Sequence, residues 1–158
     1  MKGKKHNAEA IFHKWFITRE HKYFKNIESE VSLHSAYEML SDEMNARSIF
    51  ETRPVKRMRA VGRIDLVFTH KSKRYCCEIK YSRMGNTDFW DALKVMGYAA
   101  YYSWVMNRNY EPAIMCPAKA LKLEHYLIAN SLGIKLFGIT KVRKDYVVGP
   151  AEYTLPPR

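Results

Sequence analysis

No stretch of this sequence approaches the ~18 consecutive apolar residues of a membrane-spanning helix, so a helical span is excluded. The basic opening, MKGKKHNAEAIF, lacks the apolar core of a secretory signal, and export is not expected. Cysteine is scarce. Cys76, Cys77 and Cys116, with one adjacent pair, make neither a disulfide framework nor a C-x-x-C metal knuckle. A reduced, cytoplasmic setting fits that usage. Internal repeats and low-complexity segments are also absent. What the chain does have is 158 residues, 47% of them hydrophobic and 13% aromatic, enough for one folded domain with a real core.

Acidic residues are few, 16 against 27 Lys and Arg, for a net charge of +11. The imbalance is uneven: residues 1–25 carry seven cations and two acids, residues 53–74 eight cations and Asp65 alone, and residues 26–52 six acids and only Arg47. Clustered cations on an aromatic-rich domain point to a polyanion, since neutralising phosphates releases counterions. Lys56, Arg57, Arg59 and Arg63 form the densest group and are candidates for a nucleic-acid backbone. The plain alternative is a solubilising surface. A membrane surface fits less well, because the cations do not line one face of a long amphipathic helix.

Taken in order, residues 1–6 read as a basic arm, and Asn7 as the cap of a helix to about Phe24, with Phe12, Trp15, Phe16 and Tyr23 facing a core. Ile27–His34 alternates as a strand with one wet side. Residues 35–61 read as a helical insertion broken at Thr52-Arg53-Pro54. After the stretch Gly62–Ser82, a helix is expected over 88–106 with Phe89, Leu93, Met96, Ala100 and Trp104 as its core stripe. On a neighbouring face Lys94 and Tyr98 stack four residues apart. A strand at Ala113–Cys116, a helix at Ala118–Leu132 stopped by Gly133, a strand at Ile134–Thr140 and a short strand at Tyr146–Val148 follow. Residues 149–158 read as a tail.

The chemistry concentrates in Gly62–Ser82. Two β-type runs, Arg63–Phe68 and Tyr75–Tyr81, flank a polar turn. Strand alternation puts Glu78 and Lys80 on one face and Cys77, Ile79 and Tyr81 on the other. A turn centred between Lys71 and Ser72 sets Asp65 directly across from Glu78. Like charges so placed are destabilising, so a cation is expected between them: Lys80, or a divalent metal. The same register opposes Arg63 and Lys80, so either the strands splay there or a phosphate lies between the two cations. Hard carboxylates suit Mg²⁺, and the chemistry such a set supports is phosphodiester hydrolysis, with Lys80 stabilising charge on the phosphate. A cross-strand salt bridge is the alternative.

Ile64-Asp65-Leu66-Val67-Phe68 followed by Cys77-Glu78-Ile79-Lys80 resembles the PD-(D/E)XK nuclease superfamily, with Ile64 in place of the proline that names the motif. The resemblance implies an α/β fold: a restriction-endonuclease-like mixed central β-sheet flanked by α-helices, one domain over residues 1–158. It implies catalytic roles for Asp65, Glu78 and Lys80. It also implies an Mg²⁺ site (Mn²⁺ substituting) held by Asp65, Glu78 and the backbone carbonyl of Ile79. Lys2-Gly3 followed by Glu9 is similar to archaeal Holliday-junction resolvases, which makes Glu9 a further ligand through water; a helix-dipole partner is the other reading of Glu9. Lys94-x-x-x-Tyr98 holds the place of the Gln-x-x-x-Tyr of RecB-like members, with Lys for Gln, and both residues become DNA contacts. The expected partner is DNA, and a homodimer would suit two-strand cutting.

Two other readings stay open: a non-catalytic nucleic-acid-binding module on a degenerate nuclease fold, and an interaction domain whose triad is an ion-pair cluster. Salt dependence separates the third from the others. DNA affinity measured by fluorescence anisotropy should fall steeply from 50 to 200 mM salt, by a log–log slope of about −0.9 per phosphate contacted. Binding that is absent, or indifferent to salt, would leave only the interaction domain.

Overall fold

Six strands form one mixed sheet whose order follows the chain: β1 (Phe24–Ser32), β2 (Arg63–His70), β3 (Lys73–Ile79), β4 (Tyr110–Pro117), β5 (Lys135–Val142) and β6 (Asp145–Pro150). The computed structural model describes residues 3–33, 62–81 and 88–153. Pairing is antiparallel from β1 to β3, parallel from β3 through β5, and antiparallel again at β6. Parallel neighbours need long crossovers. Helix α2 (Asp88–Met106) joins β3 to β4, and a 3₁₀ turn with α3 (Leu123–Leu132) joins β4 to β5. Helix α1 (Gly3–Thr18) precedes the sheet. The expected single α/β domain with a mixed sheet is therefore present, with three helices among the described residues.

The β2–β3 hairpin has the expected register, from His70–Lys73 to Leu66–Cys77. Lys71 and Ser72 hold it with φ of 48° and 70°, the two left-handed residues of a primed hairpin turn. Alternation then sends neighbouring residues into different cores. Cys77 and Ile79 join Phe12, Phe16, Phe24, Leu66, Phe68, Met115 and Phe137 beneath α1. Cys76 faces Ala99, Tyr102 and Val105 of α2 instead. Further along, Ala92 and Val95 of α2 meet Ile114, Ala129 and Leu136.

Several boundaries differ from expectation. α1 begins at Gly3 and ends at Thr18, so the arm's later residues are helix, Asn7 is no cap and Phe24 opens β1. Tyr23 is exposed. β1 carries a bulge between Lys25 and Glu28, with Asn26 at φ 53°, which sequence alternation does not reveal. β4 starts at Tyr110 and contains Pro112, which pairs with β3 only; pairing to β5 begins at Ala113. The helix expected at Ala118 starts at Leu123, because Leu121 and Lys122 are extended. Gly133, at φ 68°, ends it as expected. Gly149 and Pro150, read as tail, pair with Gly138 and Phe137. The insertion expected over 35–61 lies outside the described residues. The core face of α2 is Ala92, Val95, Ala99, Tyr102 and Val105; Leu93 and Ala100 are exposed and Trp104 is 67% exposed.

The turn offers a direct check on the hairpin. A left-handed residue with a Cβ costs ~1–2 kcal/mol, partly offset by glycine's greater backbone freedom when unfolded. Ser72→Gly should raise the unfolding free energy by about 0.5–1 kcal/mol, seen as a higher urea midpoint at unchanged slope.

Candidate functional site

β2 and β3 stay paired only as far as Leu66–Cys77. One step beyond, where Asp65 would face Glu78, the ladder stops. Asp65 Oδ2 instead accepts the amide N–H of Ile79 at 2.9 Å. β3 continues against β4, with Glu78 beside Ile114 and Ile79 beside Met115, and the Lys80 amide donates to the Met115 carbonyl at 2.8 Å. The strands therefore splay, which resolves the opposition of Arg63 and Lys80. Arg63 turns to Glu30 on the surface at 3.6 Å. Lys80 turns to α2, where its Nζ lies 2.9 Å from Asp91 Oδ2.

Glu78 is only 5% exposed, and its Oε1 has no hydrogen-bond partner among the described residues. Burial, then the charge of Asp65 and a side-chain hydrogen bond to it, push the Glu78 pKa up to about 8; Lys94 and, more weakly, Lys80 pull the other way. Burial and the neighbouring acid thus both favour the protonated form of this carboxyl. Burial works against the Lys80 ammonium, but the hydrogen bond and charge of Asp91, with Glu78 and Glu9 beyond, outweigh it and raise its pKa. The nearby cysteines carry no chemistry. Desolvation lifts the Cys76 thiol to about 12 and Cys77 well above its ordinary value, so both stay protonated and inert.

Glu9 reaches this corner from α1, where its Oε1 accepts the Tyr81 amide at 3.4 Å. Lys94 is exposed, with Nζ 5.5 Å from the centre of the Tyr98 ring. Tyr98 in turn packs over Gly62, where a Cβ would fall 2.3 Å from its hydroxyl, so glycine is what admits the ring. Asp65, Glu78, Ile79, Lys80, Glu9 and Lys94 thus converge. Arg63 lies at the outer end of β2, and Lys56, Arg57 and Arg59 lie outside the described residues. Sequence reasoning missed Asp91. The signal was available, since Asp91, Lys94 and Tyr98 recur at three- and four-residue steps and share one helix face.

Two carboxylates at a desolvated corner, one with an orphaned oxygen, form a donor set suited to a hard divalent cation. Among the described residues no group of three or more His, Cys, Asp or Glu is placed to hold a metal. Mg²⁺ does not require one, because it keeps several waters and takes one or two carboxylates plus substrate phosphate. No helix among the described residues is long and apolar enough to cross a membrane. No family model, curated protein or solved structure matches this chain.

The raised Glu78 pKa has a consequence for stability. Between the unfolded value of 4.5 and the folded value of about 8, the native chain holds a proton that the unfolded chain has lost. Stability from this group is therefore complete below pH 4.5 and falls as pH rises to about 8, with a limiting slope of about 1.4 kcal/mol per pH unit. Glu78→Gln should flatten that decline in metal-free buffer, so that its melting temperature gains on wild type progressively from pH 5 to 8. A constant offset across the range would show that Glu78 titrates normally.

Proposed function

We propose that this chain is a divalent-metal-dependent nuclease of the PD-(D/E)XK type that hydrolyses DNA phosphodiester bonds in an intracellular setting. The observation that carries the reading is the buried, unpartnered Glu78 oxygen beside Asp65 at the point where β2 and β3 part. A carboxyl kept out of water with one oxygen unpaired among the described residues is costly, and a bound cation would offset that cost. Asp65, Glu78 and the Ile79 carbonyl would hold Mg²⁺, or Mn²⁺ in its place, with Glu9 contributing through water. Such an ion supplies Lewis-acid polarisation of the phosphoryl oxygen and a more acidic bound water.

The chain's own groups divide the remaining work. Asp65 links the two strand ends where their ladder stops, by accepting the Ile79 amide, and so fixes its own carboxylate beside Glu78. Lys80 offsets negative charge as it builds on the phosphoryl oxygens. Lys94 adds a second cation whose stem rests on Tyr98. Arg63 and the +11 net charge favour a polyanionic substrate through long-range attraction.

One observation favours a second reading, a non-catalytic DNA-binding module. Lys80 is already paired with Asp91, so its charge is compensated before any substrate arrives. The two readings part on mutation. Asp65→Ala and Glu78→Ala should each lower cleavage of supercoiled, linear, single-stranded or branched DNA by at least about 10³-fold, with binding within about threefold of wild type. Lys80→Ala should lose rate more than affinity. Cleavage retained in both carboxylate variants, or absent from wild type with Mg²⁺ and Mn²⁺, would sink the nuclease reading.

A further inference from the structure

Resting on the nuclease reading, we infer that Asp91 is a positioning residue for Lys80, fixing its ammonium at the Asp65–Glu78 corner. The backbone of Lys80 is pinned by its amide bond to Met115. Its side chain is another matter, because a lysine stem is flexible and its ammonium is a mobile point charge. Asp91 supplies the missing constraint from α2, with an Oδ2–Nζ separation of 2.9 Å.

Exposed ion pairs of this kind hold little. This one is shielded: the Lys80 side chain is 31% exposed and that of Asp91 15%. Among the described residues Asp91 Oδ2 is buried and meets no hydrogen-bond partner of good geometry, and the Lys80 ammonium is the charge that faces it. Asp91 is also the fourth residue of α2, where an acid favours a helix N-terminus by itself. That role predicts an effect on stability that does not depend on Lys80. Positioning predicts an effect that exists only while Lys80 is present.

The double-mutant cycle therefore decides. Asp91→Asn should lower kcat by about 10–100-fold with KM within about threefold, since a misplaced group loses rate more than binding. Asp91→Glu, which keeps the charge, should recover most of that loss. In a Lys80→Met background, Asp91→Asn should cost less than twofold. A second readout needs neither metal nor activity. The lysine ammonium ¹H–¹⁵N spectrum of the metal-free protein should show one slowly exchanging signal, lost in Lys80→Met and in Asp91→Asn. Asp91→Ser serves the same measurements if Asp91→Asn does not fold.

A signal that survives Asp91→Asn, a kcat within twofold of wild type, or a penalty undiminished in the Lys80→Met background overturns the inference. A wild type that cuts no nucleic acid overturns the nuclease reading instead, and the ammonium signal then decides alone whether Asp91 holds Lys80.

Discussion

The hydrogen bond from the Ile79 amide to Asp65 is the contact on which the rest of this corner depends. A strand that leaves one neighbour must find acceptors elsewhere, because a buried backbone amide without a partner is expensive. β3 solves this in two steps. Asp65 takes the amide of Ile79, and Met115 on β4 takes that of Lys80. Ile79 is thereby satisfied on the β2 side and Lys80 on the β4 side, so neither amide is orphaned. The two carboxylates meet where β2 leaves β3 while β4 stays paired, so the acidic corner has its origin in the end of that ladder.

Glu78 stands there against ordinary stability preferences. Its carboxyl is desolvated, faces a second acid and leaves an oxygen unsatisfied. Strain of this kind survives only where the surroundings over-determine it. Here they do: β4 pairs with both Glu78 and Ile79, and Cys77 and Ile79 on either side of Glu78 are locked into the core beneath α1. The position of the side chain is set mainly by its backbone neighbours, with Asp65 as its hydrogen-bond contact.

The corner was legible in the sequence because a two-residue turn admits one register, and alternation then assigns faces. The nearness of Asp65 to Glu78 and the separation of Cys76 from Cys77 followed from that, although the ladder stops one step short of pairing the two acids. α2 was read one residue out of phase. It is apolar around much of its circumference, so periodicity favoured the large Leu93 and Trp104, whereas the close packing on β3 and β4 selects Ala92, Val95 and Ala99. Asp91 was hidden for a related reason: an acid in a helix's first turn is commonplace, and its partner comes from a distant strand. The bulge in β1 and the Pro112 position in β4 depend on which flank of a strand is paired, a property no local pattern encodes.

The strand order has a kinetic consequence. Because β1 to β6 lie in the sheet as they lie in the chain, every strand pairs only with its sequence neighbours. The two-residue turns of β2–β3 and β5–β6 cost the least entropy to close, while the crossovers through α2 and α3 close longer loops. The strands that carry Asp65 and Glu78 thus come together with local structure, and Lys94 and Asp91 on α2 arrive only once the first crossover docks. Burial is the main cause of the raised proton affinity of Glu78, so Glu78 acquires it late, as the domain closes over it.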